Sequence, residues 1–129
     1  MNILGTGIDI VKNYRLKTML TKKKTRIKSR LFTKSEIAYC KNKKDSINCY
    51  SKRFAAKEAF VKALGTGFRK NINFKDIEII KNNYGKPYLL INNKLRNRIK
   101  LFFKVKKLNY FLTISDEKEY SIASVIITK

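Results

Sequence analysis

A single α+β domain spanning residues 1–129 is predicted, with an antiparallel sheet packed with helices, and three observations predict it. Strand-like runs stand at the beginning, middle and end of the chain, separated by segments of helical periodicity. Two pairs of these runs are joined by short turn signals, which favour hairpins over parallel crossovers. The 129 residues are 43% hydrophobic, enough for one core.

Taken in order, Ile3 to Val11 reads as a strand punctuated by Gly5 and Gly7, where the backbone bends or admits a close neighbour. Apolar Val11, Tyr14, Leu16 and Met19 then alternate with Lys12, Arg15 and Lys17, predicting a short amphipathic helix that leads to the run Lys22-Lys23-Lys24. Thr33-Lys34-Ser35-Glu36 has the form of a capping box, so a second helix is predicted to start there. Lys41 to Asn48 is polar and reads as a loop. The next helix, Ser51 to Leu64, stops at Gly65-Thr66-Gly67. Ile77–Ile80 and Tyr88–Ile91 flank the turn-rich stretch Asn82 to Pro87 and predict a hairpin. Leu95, Ile99 and Phe102 recur at i, i+4 and i+7, one face of a helix running to about Lys107. Tyr110–Ser115 and Tyr120–Ile127 close the chain as strands around the acidic turn Asp116-Glu117-Lys118-Glu119.

Composition removes several function classes. No histidine is present, which excludes Ser-His-Asp and Cys-His chemistry. Cys40 and Cys49 form no CxxC pair, so a thiolate zinc site is not expected and a reduced, cytoplasmic setting fits. The longest apolar runs are a few residues, far short of the ~20 that span a bilayer, and no export signal is expected at the start. The net charge is +22, from 31 basic and 9 acidic residues. Such a field attracts polyanions, an acidic protein among them, although a compositional preference for lysine explains solvated surface charge equally well. A nucleic-acid module is the rival class, with aromatics available for stacking. Those aromatics, however, fall at core-like periodic positions, and no nucleic acid partner is expected.

Two of the nine carboxylates stand among apolar neighbours. Asp9 lies between Ile8 and Ile10, and Glu58 on a helix with Phe54, Ala55, Ala59 and Val61. A buried acid is costly unless a cation or hydrogen bonds compensate it. One answer is an ion pair with a lysine. The other is that the hard oxygens of Asp9 and Glu58 hold Mg²⁺ while Lys62 neutralises phosphates bound to it. Glu58, Lys62 and Gly65 stand at i, i+4 and i+7 and share a helix face; Arg53 and Lys57 lie on another.

The segments Gly5-Thr6-Gly7-Ile8-Asp9-Ile10-Val11 and Lys52-Arg53-Phe54-Ala55-Ala56-Lys57-Glu58-Ala59, the second followed by Lys62 to Gly67, resemble the two signature motifs of bacterial holo-acyl-carrier-protein synthases. Tyr84-Gly85-Lys86-Pro87-Tyr88 and Tyr120 to Ile126 resemble that family too, so the likeness spans nearly the whole chain. It implies the 4′-phosphopantetheinyl transferase fold, a homotrimer with active sites between subunits, and transfer of the phosphopantetheine arm of coenzyme A to a serine of acyl carrier protein. Asp9 and Glu58 would then hold Mg²⁺, Lys62 and the Gly65 turn would contact coenzyme A phosphates, and Arg53 would lie near the nucleotide. Arg15, Met19 and the basic surface after them would meet the acidic helix of the carrier. With histidine absent, Glu36 is a candidate proton acceptor beside its capping role. Where many members carry Ser-Ile-Ser-His, this chain has Thr113-Ile114-Ser115-Asp116, so a histidine contact to the nucleotide is not expected.

Overall fold

The computed structural model describes residues 2–21, 26–65 and 71–129. The first strand, β1 (Ile3–Lys12), alternates from Gly5 onward between solvent and core, with Ile8 and Ile10 outward and Val11 buried. It pairs antiparallel with β5 (Tyr120–Thr128), which pairs with β4 (Asn109–Asp116), so the sheet order is β1-β5-β4. A separate hairpin joins β2 (Ile77–Lys81) to β3 (Pro87–Ile91).

Five α-helices and a short 3₁₀ turn (Phe74–Asp76) accompany the strands among the described residues: α1 (Asn13–Thr21), α2 (Arg26–Leu31), α3 (Lys34–Lys41), α4 (Ser46–Leu64) and α5 (Asn93–Phe103). The centre is α4, which lies across the inner face of the three-stranded sheet with Ala55, Ala56, Ala59, Phe60, Ala63 and Leu64 buried. Its alanines let β1 approach very closely. A Cβ on Gly5 would collide with the carbonyl oxygen of Ala63, and one on Gly7 with that of Ala59. The glycines expected to mark a close approach therefore do so, and what approaches is a helix backbone. Fully burying a side chain such as Phe60 contributes about 1.5–3 kcal/mol, so this seam is the main source of cohesion.

The α+β class and antiparallel arrangement agree with the sequence, and the differences lie at element boundaries. The strand read as ending at Val11 continues to Lys12, which pairs with Tyr120, and α1 begins only at Asn13. Asn13 is buried and clamps the β4–β5 turn: its backbone N–H donates to Glu119 O (2.8 Å), its side-chain amide to Lys118 O (3.2 Å), and its Oδ1 accepts from Ser121 Oγ (2.8 Å). The segment read as a loop up to Asn48 is already helical from Ser46, because the Asp45 side chain caps α4 by accepting from Asn48 N at 3.0 Å. Helix α5 ends at Phe103 and not near Lys107, since Lys104 adopts the left-handed conformation at φ 55° and closes the helix. The short helix α2 was not anticipated. Lys22-Lys23-Lys24 and Thr66-Gly67 lie outside the described residues.

Cys40 and Cys49, expected as reduced thiols, are joined by a disulfide. The packing of α3 on α4 brings their Cα atoms to 5.5 Å, within the ordinary range for such a bond. No described helix is long and apolar enough to cross a membrane.

Candidate active site

The seam between β1 and α4 gathers most of the residues singled out from the sequence. Gly7 lies against Ala59, so Asp9, two residues further along β1, is carried towards the turn of α4 that holds Glu58. From one turn beyond Glu58, Lys62 reaches back: its Nζ donates to Asp9 Oδ1 (2.9 Å) and to Ile8 O (3.1 Å). The Asp9 side chain is only 14% exposed and that of Lys62 is 46% exposed, so the pair opens to solvent on the lysine side. Glu58 is half-buried on the same stretch of helix. Of the two compensations weighed for Asp9, the ion pair with a lysine is the one seen, with the Lys62 ammonium resting on the carboxylate. Among the described residues no group of three or more acidic, cysteine or histidine side chains could enclose a metal. Two carboxylates with an open side suit Mg²⁺, which keeps several waters and takes phosphate oxygens instead of requiring an all-protein cage.

Gly65 ends α4 with φ 88° and ψ 174°, a backbone conformation that other residues reach only under strain, and it is exposed. It stands one residue after the last turn of α4, beyond Lys62.

Glu36 is placed elsewhere. The predicted capping box forms, with Thr33 N donating to Glu36 Oε1 (2.9 Å) and Glu36 N donating to Thr33 Oγ1 (3.2 Å). The carboxylate then continues into the core, where it is 1% exposed, pairs with Lys57 Nζ at 2.6 Å and accepts from Ile79 N at 3.1 Å. Both oxygens are occupied and shut away from solvent. This removes Glu36 from the proton-accepting role expected of it and makes it a brace between α3, α4 and β2. Lys57 is fully buried and also donates to Leu31 O (2.7 Å) and Phe74 O (3.0 Å). Burial pushes its ammonium pKa down, opposed by the Glu36 carboxylate. A lysine flanked by Ala55, Ala56, Ala59 and Phe60 was the available signal for this buried partner.

Arg53, at the other end of α4, is 4% exposed. Its Nη1 lies 3.2 Å from Cys49 Sγ, its guanidinium carbon stands 4.5 Å from the Tyr39 ring centroid, and its Nε is buried with no partner among the described residues. Burial lowers its pKa, opposed by the charge of Glu36. It lines two adjoining cavities of about 130 and 210 Å³, which it shares with Lys52 and Lys81. Asp116 lines the smaller one and accepts from Asn48 Nδ2 at 3.0 Å. The surface expected for a partner is on α1, where Arg15 is exposed, Met19 half-buried and Tyr14 largely exposed.

A tight strand–helix seam that carries the Asp9–Lys62 pair to an open rim, with Glu58 one turn before Lys62 and a basic basin further along the same helix, is an arrangement suited to binding phosphates. A family model described as the 4′-phosphopantetheinyl transferase superfamily matches residues 5–125, and the chain belongs to that family. The holo-[acyl-carrier-protein] synthase of Pelagibacter ubique (strain HTCC1062) is 50% identical to it over 129 residues, covering 100% of this chain and 99% of its own. Among solved structures, the holo-[acyl-carrier-protein] synthase of Neisseria meningitidis superposes with TM-score 0.85 at 32% identity, covering 99% and 100% of the two chains. That of Bacillus anthracis, in complex with CoA (3′,5′-ADP), superposes with TM-score 0.77 at 33% identity over 97% and 96%.

Proposed function

We propose that this protein transfers the 4′-phosphopantetheine group of coenzyme A to a serine of apo-acyl carrier protein, supplying the holo carrier for fatty acid synthesis. The observation that carries the reading is the Lys62–Asp9 ion pair, seated where the two glycines of β1 meet α4, with Glu58 one turn before Lys62 on the same helix. In the reaction the serine Oγ gives up its proton to solvent and forms a bond to the β-phosphorus of coenzyme A, and the phosphoanhydride bond breaks to release adenosine 3′,5′-bisphosphate. Lys62 is in reach to offset charge on the pyrophosphate oxygens, and the exposed Gly65 turn lets those oxygens approach the backbone. Asp9 and Glu58 would hold Mg²⁺, which when bound neutralises charge on the transferring and leaving oxygens. Arg53, which lines the basic basin with Lys52 and Lys81, suits the nucleotide end.

Arg15 and Met19 would receive the acidic carrier, whose approach a net charge of +22 favours. The outward face of the three-stranded sheet supports a homotrimer with sites at subunit boundaries: Ile8, Ile10, Phe111, Ile122 and Ile126 are all at least 36% exposed there, more apolar surface than a lone subunit ordinarily leaves open. The compartment would be the cytoplasm, where coenzyme A and the carrier meet.

The test is Glu58→Gln, assayed by incubating protein, coenzyme A, Mg²⁺ and apo-acyl carrier protein and weighing the carrier. The wild type is expected to add the phosphopantetheine mass and the variant to lose transfer while keeping its circular dichroism spectrum. Full turnover by the variant would overturn the assignment of Glu58.

A further inference from the structure

The basin beside Arg53 contains a residue that the transfer reaction does not explain. Tyr39, half-buried on α3, has cations around its ring from three directions: Lys43 Nζ at 4.4 Å, Arg53 Cζ at 4.5 Å and Lys81 Nζ at 5.6 Å from the centroid. These belong to the α3–α4 turn, to α4 and to β2. The cavity of about 210 Å³ at this place is lined by the same groups together with Lys44, Lys52 and a single acid, Asp45. Asp45, which also caps α4, is one carboxylate against five cations in that lining.

Such a concentration of cations calls for an anion, and two are available. One is a phosphate from the ligand, drawn by the charges of Arg53, Lys43 and Lys81 that line the cavity. The other is the Tyr39 phenolate itself. Burial opposes ionisation of the phenol, but hydrogen bonding and charge from Lys81 and Lys43 outweigh it and bring the pKa down to about 8. The two anions draw on the same three cations, so each disfavours the other.

Resting on the reading that Arg53 meets the nucleotide end of coenzyme A, we propose that Tyr39 is a specificity-determining residue of that subsite: neutral, its ring holds Arg53, Lys43 and Lys81 around the phosphate, and ionised, it takes the phosphate's place. The enzyme's grip on its nucleotide would then weaken as pH rises. A phenol titrating at about 8 is about one-tenth ionised at pH 7 and nine-tenths at pH 9, so affinity falls about tenfold across that range if the two anions exclude one another. The sign is set by competition: the bound anion favours the protonated phenol, and raising pH favours the unliganded protein.

The experiment is calorimetric titration of the full chain with adenosine 3′,5′-bisphosphate, which has no thiol to titrate, at pH 7 and pH 9, for the wild type and Tyr39→Phe. The dissociation constant is expected to rise about tenfold in the wild type and to stay nearly level in Tyr39→Phe, which keeps the ring and loses the ionisable oxygen. A second measurement does not depend on the variant's affinity. The phenolate absorption of the wild type minus that of Tyr39→Phe, followed against pH, should show one group titrating near 8 that moves upward when the bisphosphate is bound. Binding with the same pH profile in both proteins, or a Tyr39 titration unmoved by ligand, would overturn the proposal while leaving the nucleotide subsite standing. Failure of the wild type to bind the bisphosphate at pH 7 would overturn the subsite reading and the proposal with it.

Discussion

Replacing Lys57 with methionine removes one charge from a place no water reaches. The ammonium satisfies three acceptors, Glu36 Oε1 at 2.6 Å, Leu31 O at 2.7 Å and Phe74 O at 3.0 Å, and both members of the ion pair have side chains with no exposure. Methionine fills a similar volume, so the packing term is small. What remains is a carboxylate in the core with two amide donors, Thr33 N and Ile79 N, and no cation bonded to it, Arg53 acting only through space, beside two carbonyls that lose a donor. Breaking a buried pair in this way costs about 3–5 kcal/mol, a large part of the 5–15 kcal/mol typical of a domain. For 129 residues the unfolding entropy is about 0.27 kcal/mol per degree, so the melting temperature should fall by about 10–20 °C.

The assay is urea unfolding at fixed protein concentration, read by circular dichroism, for Lys57→Met, Glu36→Gln and the double variant. Each single change should destabilise strongly, and the double variant should recover about 2 kcal/mol or more over Lys57→Met, because a neutral amide needs no countercharge. A loss under about 1 kcal/mol for Lys57→Met would refute the reasoning: the carboxylate would then have to find another cation or protonate without consequence.

Gly7→Ala should lower the melting temperature by several degrees and reduce transfer, since its Cβ meets the Ala59 carbonyl and the strand must shift in the stretch that holds Asp9; differential scanning fluorimetry beside the carrier-mass assay checks both. Tyr110→Phe should be neutral or stabilising by about 1 kcal/mol, because the Tyr110 hydroxyl is buried without a partner among the described residues. Burial also raises that phenol to about 12, so the folded state holds a proton that the unfolded chain releases near pH 10; stability is full below pH 10 and declines towards pH 12, and the variant should lack that part of the decline in pH-dependent unfolding. Ile122→Glu sets a charge beside Ile10 on the outer sheet face and should convert a trimer to monomers in light scattering after gel filtration; an unchanged mass would place any interface elsewhere.

The parts of the fold legible in the sequence were those encoded locally. The capping box at Thr33 to Glu36, the glycine stop at Gly65 and the turn between Ile80 and Tyr88 each declare themselves within a few residues, and each is found in its place. The errors lie where distant partners decide. Lys12 is in a strand because Tyr120 pairs with it, and Asn13 starts a helix while binding a turn more than 100 residues away. The early start of α4 is different, because Asp45-Ser46-Ile47-Asn48 contains an aspartate cap three residues before its donor that a closer reading could have used. For the site, Asp9 and Glu58 stood out as acids in apolar company, whereas Tyr39 offered no such contrast and acquires its setting only when Lys43, Arg53 and Lys81 converge on it.

Lys57 and Lys62 show why composition alone could not resolve the site. They lie five residues apart on α4, about 140° around the helix, and each rests on a carboxylate. One pair is sealed between α3, α4 and β2, where removing either charge is costly and the gain is a fixed placement of elements. The other opens at a strand–helix rim, where the lysine is nearly half exposed and so can exchange its carboxylate for a phosphate at little cost. Since α4 also carries Arg53 and Glu58, bracing it through Lys57 fixes the basic basin relative to Glu58 by a rigid span of helix. The sealed pair and the open pair thus lie on different faces of one helix, and a lysine's burial, not its presence, decides which role it serves.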